Sequence, residues 1–247
     1  IIGNGATARS IAMALGNKVH FLVRTKRHDD EYLLKEYEKL QDTEYLINAT
    51  PYGTYPNITS NPLFPLANFK KLKMVIDVIY NPLNSPLILE AKKFNIPSIN
   101  GLDLLVKQAS INYKLFTGKE VNDEALLQVV KRKLYNIVLV GLSYSGKSTI
   151  GKMLAQKLNK KFVDTDDILF REHHDLPTIL NNGGSIDDYR EHENKLANQI
   201  GLKFNQVIAT GGGMILSAST MQALAYNSII IHLNPSLKTL KKRFDEI

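Results

Sequence analysis

The strongest constraint on the fold of this chain is the segment 136–149, NIVLVGLSYSGKST. Its first part, an apolar run that includes residues 137–140, is typical of a buried parallel strand. Gly141 then opens the spacing G-x-x-x-x-G-K-S, and the helix-periodic run 150–158 follows directly. A strand, a glycine-rich loop and a helix in this order are what a Walker A phosphate-binding loop requires. The segment therefore predicts a parallel α/β fold with a phosphate site.

The residues of this loop also indicate how a nucleotide would be held. Its backbone N–H groups can turn towards a β-phosphate, and the N-terminus of the following helix adds a partial positive charge. Lys147 can reach the β- and γ-phosphates, and Ser148 can ligate Mg²⁺. The alternative is a glycine-rich turn without a ligand, which is disfavoured because the strand and the helix are both in place.

Length and composition narrow the class of protein. The 247 residues suffice for two ordinary domains, and no apolar run reaches the length of a membrane span. The absence of cysteine excludes disulfides and thiolate metal sites and fits a reducing compartment, so we expect a cytoplasmic protein. The net charge of +7 permits a nucleic-acid partner, but the basic residues are scattered. We expect phosphate-bearing small molecules as partners, and neither nucleic acid nor a membrane.

Both ends of the chain predict that it belongs to a longer protein. Ile1 and Ile2 have the character of a strand end whose body is missing, and there is no initiator methionine. The helical pattern of residues 240–247 stops without a capping residue. We therefore expect further chain on either side.

The first half begins with a second glycine-rich turn. Gly3, Gly5 and Ala8 follow the spacing G-x-G-x-x-A between a strand end and a helix, which is the dinucleotide-binding pattern. The next predicted strand, 19–23, ends in the basic sequence RTKR at 24–27 rather than in the acidic residue typical of NAD sites. Basic residues there suit the 2′-phosphate of NADP, and a solvated charge run is the alternative.

The rest of the first half alternates strands and helices. We predict strands over 45–50 and 74–80, and helices over 31–40, 86–94, 101–116 and from about 123 to 134. Ser85 is predicted to cap the second of these helices, and Asn122 or Asp123 the last. Asn48 and Thr50 would lie at a carboxyl strand end, where open α/β sheets bind ligands.

Residues 1–134 contain five motifs in this order: GNGATAR, VRT, NATPYG, DVIYNPLNSPL and NGLDLLVKQA. Together they resemble the carboxyl-terminal, NADP-binding half of shikimate dehydrogenase. The resemblance implies a Rossmann-type domain over 1–134 with these NADP(H) contacts: Gly3, Asn4, Gly5, Ala6, Thr7, Arg24, Thr25, Arg27, Val78 and Gly101. It also implies that Tyr80 and Gln108 contact shikimate.

The chain departs from this family in a few places. Val23 stands where the family has Asn, Ala6 replaces the second glycine of a usual pair, and Ser85 replaces Thr. These changes are expected to weaken cofactor binding without removing it. The family's catalytic Lys–Asp pair belongs to a substrate domain that we expect upstream in the intact chain. Residues 1–134 alone are therefore expected not to catalyse hydride transfer.

The second half carries polar segments after its predicted strands. The aspartates of DTD, at 164–166, can hold Mg²⁺, orient an acceptor hydroxyl or cap the next helix. Arg190 and Glu193 share a helix face, so an ion pair is the simplest interpretation, and His192 is interpreted as a surface residue. The three glycines at 211–213 follow a buried strand and expose backbone N–H groups to a ligand, whereas a plain turn usually needs one glycine.

The order GLSYSGKSTIGKMLA, DTD, YR–E and ATGGG resembles shikimate kinase over residues 135–247. The resemblance implies a P-loop NTPase-type parallel-sheet domain like that of the nucleoside-monophosphate kinases. It implies ATP contacts from Gly141, Tyr144, Ser145, Gly146, Lys147, Ser148, Thr149 and Arg243. It implies shikimate contacts from Asp166, Arg190, Gly211, Gly212 and Gly213. Lys147 and Asp166 would be catalytic, and Ser148 and Asp164 would serve Mg²⁺.

This half also departs from its family. Ile186 stands where a glutamate is expected and Tyr189 where Phe is usual. The family's lid arginine and its last substrate arginine would lie beyond Ile247. We therefore expect little or no kinase activity from these residues alone.

The two resemblances imply adjacent reactions: reduction of 3-dehydroshikimate by NADPH, and phosphorylation of the 3-hydroxyl of shikimate by ATP. The resulting prediction is a bifunctional dehydrogenase–kinase of the shikimate pathway. Two alternatives stay open, an active kinase beside a relic dehydrogenase half and a non-catalytic nucleotide-sensing regulator. A kinase for another small molecule is a lesser alternative.

Overall fold

The computed structural model describes residues 1–16, 19–59 and 61–245, so residues 246 and 247 of the predicted C-terminal helical pattern lie outside the described residues. The chain divides into two compact units, Ile1–Gln128 and Val129–Ile247. Each unit is built on a parallel sheet. Among the described residues, no helix combines the length and the apolar character needed to cross a bilayer.

The first unit alternates short strands and helices. Its helices are α1 (Ala6–Leu15), α2 (Pro86–Lys93), α3 (Leu102–Thr117) and the start of α4 (Asp123–Leu134), with short 3-10 helices at Leu34–Leu40 and Leu66–Asn68. Its strands are β1 (Phe21–Val23), β2 (Glu31–Leu33), β3 (Tyr45–Asn48), β4 (Met74–Asp77) and β5 (Ser98–Ile99).

Ile2 joins the strands of the first unit into one parallel arrangement. It bridges Leu22 of β1 on one side and Asn48 of β3 on the other. β2 pairs with β1, and β4 and β5 extend from β3. When the bridge at Ile2 is counted as the first strand position, the order is 3-2-1-4-5-6, as in dinucleotide-binding folds. The predicted Rossmann-type class is confirmed, and the order reverses between Ile2 and β3.

The predicted helix over 31–40 is wrong at its start. Residues Glu31–Leu33 form strand β2, which pairs in register with β1, and only Leu34–Leu40 coil into a 3-10 helix. The backbone of β2 finds partners in β1, and its first side chain, Glu31, is buried. Tertiary pairing of this kind overrides a local helical preference, which is worth only fractions of a kcal/mol per residue.

Local capping signals in the first unit are confirmed. The Ser85 hydroxyl accepts the N–H of Ile88 at 3.3 Å, and Pro86 occupies the first position of α2. The side chain of Asn122 accepts the N–H of Ala125 at 2.9 Å, so Asn122 rather than Asp123 caps α4. α3 begins directly after Gly101 and buries Leu102 and Val106 against the unit.

The second unit contains the following elements after α4: β6 (Asn136–Val140), α5 (Lys147–Leu158), β7 (Lys161–Asp164), α6 (Thr165–Arg171), α7 (Leu176–Asn181), α8 (Ile186–Gly201), β8 (Gln206–Ala209), α9 (Ala218–Ala225), β9 (Ser228–His232) and α10 (Leu237–Asp245). The sheet order is β7-β8-β6-β9, and every pair is parallel. β6 and β8 are central, which explains their apolar sequences.

The core of the second unit lies between the sheet and helices α8 and α9. It contains Val138, Ile208, Leu196 and Leu224, all buried. Because β6 and β8 are neighbours but not successive in the chain, their following loops diverge to opposite sides of the sheet and leave a crevice. The loop after β6 is the GxxxxGKS segment, and the loop after β8 contains the three glycines. The predicted P-loop-type fold is thereby confirmed.

Candidate functional site

The loop after β6 has the backbone conformation that its glycines predict. Gly141 has φ +149°, and a Cβ there would lie 2.5 Å from the Leu233 carbonyl oxygen. Gly146 has φ +97° immediately before α5. Both positions favour glycine, one by space and both by conformation. The predicted ATP contacts from Gly141 to Thr149 therefore belong to one loop and the first turn of α5.

Lys147 is directed into this loop. Only 8% of the residue is exposed, and its ammonium group donates to the carbonyl oxygens of Gly141 at 2.9 Å and Leu142 at 2.8 Å. Burial lowers its pKa, and the nearby carboxylates of Asp166 and Asp164 oppose that shift. A desolvated cation beside backbone N–H groups is a strong site for phosphate oxygens.

Arg243 reaches the same loop from α10. Its guanidinium donates to the Tyr144 carbonyl oxygen at 3.0 Å and lies beside Gly146. The neighbouring Phe244 meets the Tyr144 ring edge-on, with centroids 5.5 Å apart. Tyr144 has φ +65°, so its backbone is held in the left-handed region. The structure thus brings Arg243 and Tyr144 together at the rim of the loop.

Ser148 and the aspartates after β7 form a second polar group. The Ser148 hydroxyl donates to Asp164 Oδ2 at 2.6 Å, while Asp164 Oδ1 accepts the N–H of Asp166 at 3.2 Å. Asp164 therefore caps α6 and faces Ser148 at once. Burial, and then the charge of Asp164, raises the pKa of Asp166. Asp166 is consequently a better proton acceptor than an aspartate with the ordinary pKa.

Each of the three glycines after β8 lies against a different polar side chain. A Cβ at Gly211 would lie 2.5 Å from Asp166 Oδ1, and one at Gly212 would lie 2.9 Å from Ser143 Oγ. At Gly213 a Cβ would overlap the guanidinium of Arg190. The bare backbone lets these groups line one crevice beside the GxxxxGKS loop. Asp166, Arg190 and the three glycines, predicted from distant motifs, are brought together.

Buried hydrogen bonds and ion pairs support this crevice. The hydroxyl of Thr165 accepts the N–H of Gly211 at 2.8 Å, which fixes the glycine run to α6. Arg190 forms the predicted ion pair with Glu193, whose carboxylate is 1% exposed and lies 3.4 Å from the position of a Gly211 Cβ. Burial chiefly raises the pKa of Tyr189 in the same helix.

Sequence reasoning missed Ser143 and Thr165 as site residues and gave Glu193 only an ion-pair role. Ser143 lies inside the glycine loop and Thr165 between two aspartates, so their positions were the available signal. His192, interpreted as a surface residue, is half-buried and stacks on His174 with ring centroids 3.8 Å apart.

The glycine-rich turn of the first unit lies at the reversal of strand order. Gly3 has φ +92°, and a Cβ there would meet the Thr50 methyl group at 2.9 Å. Gly5 immediately precedes α1, and no atom of the described non-neighbouring residues lies within 4 Å of the position that a Cβ there would take. The turn residues Asn4, Ala6 and Thr7 complete the approach to α1. This open N-terminus of a helix suits a pyrophosphate.

The basic segment follows β1 at the same edge of the sheet. Arg24, Thr25 and Arg27 are exposed, whereas Lys26 pairs with Glu36 at 3.3 Å. The two exposed arginines leave positive charge available to an anion near the turn. The contacts of these residues with a 2′-phosphate stay a prediction.

Val78 and Gly101 meet directly beyond β4. The Gly101 N–H donates to the Ile79 carbonyl oxygen at 2.8 Å, and a Cβ on Gly101 would overlap the Val78 carbonyl oxygen. Tyr80, 46% exposed, follows β4, and Gln108 is exposed on α3. The structure places the first pair together and leaves Tyr80 and Gln108 accessible.

A buried carboxyl group organises the strand ends beside this site. Asp77 accepts the Ser85 hydroxyl at 2.5 Å, the Asn48 side-chain amide at 3.0 Å and the Ile79 N–H at 3.1 Å. Burial raises its pKa to about 6. Thr50 donates to the Asn48 side-chain oxygen at 2.7 Å. The network locks the carboxyl ends of β3 and β4, and sequence reasoning had not assigned Asp77 a role.

Oxygen ligands suitable for Mg²⁺ occur at Ser148 and Asp164. Within residues 1–16, 19–59 and 61–245, no three His, Cys, Asp or Glu side chains lie close enough to hold a metal by themselves. Mg²⁺ commonly takes one or two protein oxygens and completes its shell with water and substrate phosphates. The Ser148–Asp164 pair fits that pattern.

Comparison with known proteins separates the two halves. Residues 144–246 match the family model described as shikimate kinase. A shikimate kinase of Mannheimia succiniciproducens is 40% identical over 111 residues, which cover 44% of this chain and 61% of the relative. A solved shikimate kinase from Acinetobacter baumannii, in complex with shikimate, is 30% identical and covers 47% of this chain and 64% of that one, with a TM-score of 0.43.

The first half matches a different group of enzymes. An NADP(+) shikimate dehydrogenase of Methanocaldococcus jannaschii is 32% identical over 153 residues, which cover 54% of each chain. The chain thus spans about half the length of the curated dehydrogenases that it matches. Relatives named shikimate dehydrogenase are thus similar to the N-terminal half, and the shikimate kinase family model matches the C-terminal part.

Proposed function

We propose that this chain belongs to a bifunctional shikimate-pathway enzyme, in which the second unit transfers phosphate from ATP to the 3-hydroxyl of shikimate. One observation carries the proposal. Asp166 and Arg190 lie against Gly211 and Gly213, in a crevice beside the loop that holds Lys147. A general ATP-binding protein needs the loop but not this second set of groups.

Lys147 is proposed to hold and neutralise the transferred phosphoryl group. Phosphoryl transfer depends mainly on positioning and on electrostatic stabilisation of the phosphate oxygens. Lys147 is preorganised for both because its ammonium group is buried in the loop by the carbonyl oxygens of Gly141 and Leu142. Arg243 at the loop rim is proposed to contact the nucleotide from the other side.

Asp166 is proposed to hold the acceptor hydroxyl and to take its proton. Its raised pKa and its place beside Gly211 support this role. Arg190, held by the buried Glu193, is proposed to bind the shikimate carboxylate, and the backbone N–H groups of residues 211–213 the ring hydroxyls. The ion pair with Glu193 fixes the guanidinium before the substrate arrives.

Ser148 and Asp164 are the residues proposed to hold Mg²⁺. When bound, the ion would supply charge neutralisation for the nucleotide phosphates. The oxygen donor set and the 2.6 Å contact between Ser148 Oγ and Asp164 Oδ2 support this assignment.

The first unit is proposed to bind NADPH for the reduction of 3-dehydroshikimate. The turn of residues 3–7 would hold the pyrophosphate, Arg24, Thr25 and Arg27 the 2′-phosphate, and Val78 and Gly101 the nicotinamide. Tyr80 and Gln108 would contact the shikimate ring. The lysine and aspartate that transfer protons in the related enzymes are proposed to come from a further domain of the intact protein.

Two other functions can be tested directly. The dehydrogenase half could be a relic beside an active kinase, or the whole protein a nucleotide-sensing regulator. The intact set of Lys147, Ser148, Asp164 and Asp166 favours catalysis over sensing. NADPH titration of the chain addresses the first alternative, because a relic would bind the cofactor weakly.

The deciding experiment measures ADP release by the full-length protein with and without shikimate, beside its Lys147→Ala variant. Shikimate-dependent release that the variant loses is expected. Release that is indifferent to shikimate would mean that the phosphate loop is correctly assigned and the acceptor is not. The absence of any turnover, with ATP still bound, would favour the regulator.

A further inference from the structure

Glu31 is a buried carboxylate directly behind the basic segment of the first unit. It is the first residue of β2, pairs in register with Phe21 and is only 1% exposed. A charge in such a place is costly unless hydrogen-bond donors satisfy it. The hydrogen-bond donors around Glu31 therefore indicate its structural role.

Four N–H donors converge on the carboxylate from two segments. Glu31 Oε2 accepts the backbone N–H groups of Arg27 at 2.5 Å and His28 at 3.1 Å. Glu31 Oε1 accepts the side-chain amide of Asn4 at 2.8 Å and the guanidinium of Arg9 at 3.4 Å. The bond from Asn4 foremost, and then those from the backbone of Arg27 and His28, hold the pKa of Glu31 below its ordinary value. The group therefore stays ionised.

The two segments that Glu31 joins are the ones a dinucleotide would touch in succession. Asn4 belongs to the glycine-rich turn proposed for the pyrophosphate, and Arg27 belongs to the basic segment proposed for the 2′-phosphate. Because both are bonded to one carboxylate, the distance between turn and segment is fixed. Arg24 and Arg27, both exposed, belong to the segment whose backbone this carboxylate holds.

Another role for an acidic residue here would be the one found in NAD sites, a direct bond to the ribose 2′-hydroxyl. The geometry disfavours it. Each Glu31 oxygen already has two donors, and the side chain has no exposed surface. A ribose would have to displace Asn4 or the backbone of the basic segment to reach it.

We propose that Glu31 is a positioning residue for cofactor choice, which fixes the basic segment against the glycine-rich turn so that the first unit prefers cofactors with a 2′-phosphate. The proposal rests on the proposed NADP(H) binding by this unit. Glu31 acts through Arg24 and Arg27 and does not itself touch the cofactor.

The test uses the whole chain and its Glu31→Gln variant, with calorimetric titration of NADP⁺, NAD⁺, 2′,5′-ADP and 5′-AMP. Glutamine keeps the shape but presents an NH₂ group to N–H donors on one side. We expect NADP⁺ and 2′,5′-ADP to bind about tenfold more weakly, because a charge-assisted anchor of the segment is lost. NAD⁺ and 5′-AMP should change by less than about twofold, since the turn itself is intact.

Two further variants control for a general loss of structure. Glu90→Gln removes another carboxylate of the same unit that accepts a backbone N–H, that of Leu66 at 3.2 Å, and should leave the NADP⁺ to NAD⁺ ratio unchanged. Glu31→Asp keeps the charge on a shorter side chain and should restore part of the ratio. If circular dichroism shows that Glu31→Gln does not fold, the test rests on Glu31→Asp. Its ratio of NADP⁺ to NAD⁺ affinity should then lie below that of the wild type.

Four results would overturn the proposal. An equal loss for NADP⁺ and NAD⁺ would make Glu31 a general structural residue. A gain in NADP⁺ affinity would make it an NAD-type ribose ligand. A wild-type chain without any preference for NADP⁺ would refute the proposed NADP(H) function of this unit and the role of Glu31 together. Unchanged affinities for both cofactors in the Glu31 variants would refute the role of Glu31 alone.

Discussion

Two glycine-rich loops in this chain each join the end of a parallel strand to the start of a helix. Residues 3–5 precede α1, and residues 141–146 precede α5. Both leave backbone N–H groups at a helix N-terminus. They differ in charge: the second loop encloses the cation Lys147, whereas the first contains no charged side chain.

The carboxylates beside the two loops differ in the direction of their pKa shifts and in their hydrogen bonds. Glu31 beside the first loop has a lowered pKa and is saturated by four donors. Asp166 beside the second has a raised pKa and lies in an open crevice. If the first loop only holds a pyrophosphate, a charged group there, such as Glu31, can serve to fix the backbone. If phosphate is transferred at the second loop, the charged groups there must face the reacting atoms.

Of the substitutions predicted here, removal of the Lys147 ammonium group should have the largest effect on activity. In the full-length protein, Lys147→Ala should lower shikimate-dependent ADP release by about a thousandfold, because a preorganised charge at the phosphoryl group is lost. The measurement is a coupled ADP assay. Lys152→Ala on the same helix, where the exposed lysine lies over the Phe162 ring, is the matched control and should retain activity. Similar losses in both variants would contradict the contrast between the loops.

The next effect tests the crevice opposite the second loop. Gly213→Ala should place a methyl group on the Arg190 guanidinium and raise the KM for shikimate by about a hundredfold, since small displacements of a positioning group have effects of this size. Nucleotide affinity should not change. A double variant with Arg190→Ala should lose no more than Arg190→Ala alone, because both changes remove one interaction. Additive losses would show that Gly213 acts without Arg190.

The two glycines that precede the helices offer a direct comparison. Gly5 has φ −69° and open space around it, so Gly5→Ala should leave the melting temperature unchanged while NADPH binds about tenfold more weakly, because the methyl group keeps the pyrophosphate from the backbone. Gly146 has φ +97°, a backbone conformation that alanine adopts at a cost. Gly146→Ala, unlike Gly5→Ala, should therefore destabilise the second unit by about 1 kcal/mol.

Calorimetric titration and thermal unfolding of both variants give the result. Equal destabilisation by the two alanines would mean that the loops are more alike in backbone strain than their φ angles indicate.

The smallest effect concerns Asp77, a carboxyl group that supports structure. Its pKa of about 6 in the folded protein exceeds the ordinary 3.8, so the folded state binds the proton more tightly. The contribution of Asp77 to stability is therefore fully present below about pH 4 and is lost as the pH rises from about 4 to 6. Between pH 5 and pH 7 the loss should be about 1 kcal/mol relative to Asp77→Asn.

Carbon-13 NMR titration of the Asp77 carboxyl group, assigned with Asp77→Asn, measures the pKa directly. Hydrogen exchange of β3 and β4 amides in both proteins measures the stability difference. A pKa at or below 3.8 would contradict the desolvated environment of Asp77 and would predict the opposite pH dependence.

Local patterns in the sequence predicted much of the fold. The spacing of the glycines, the apolar runs of β6 and β8 and the capping residues Ser85 and Asn122 each act within a few residues, so the printed sequence contains the necessary information. The prediction of a helix at the start of β2 was wrong because the structure there depends on a distant part of the chain. Glu31–Leu33 are held by β1, a partner that no local pattern reveals.

The candidate site was predicted in part. Lys147, Asp166, Arg190 and the three glycines follow from motif order and resemblance, and the structure places them around one crevice. Ser143 and Thr165 were missed, because their contacts join residues far apart in sequence. The bond from the Gly211 N–H to the Thr165 hydroxyl, for example, spans 46 positions.

The sequence by itself determined two α/β units, the conformations of their glycine loops and the cation of the second loop, because spacing and residue type act locally. Only the tertiary structure decided what each carboxylate does. Glu31, Asp77 and Asp166 are acidic residues near strand ends, yet their pKa values shift in different directions. Desolvation and the donors that reach each oxygen come from other parts of the chain, so they arise only when the chain has folded.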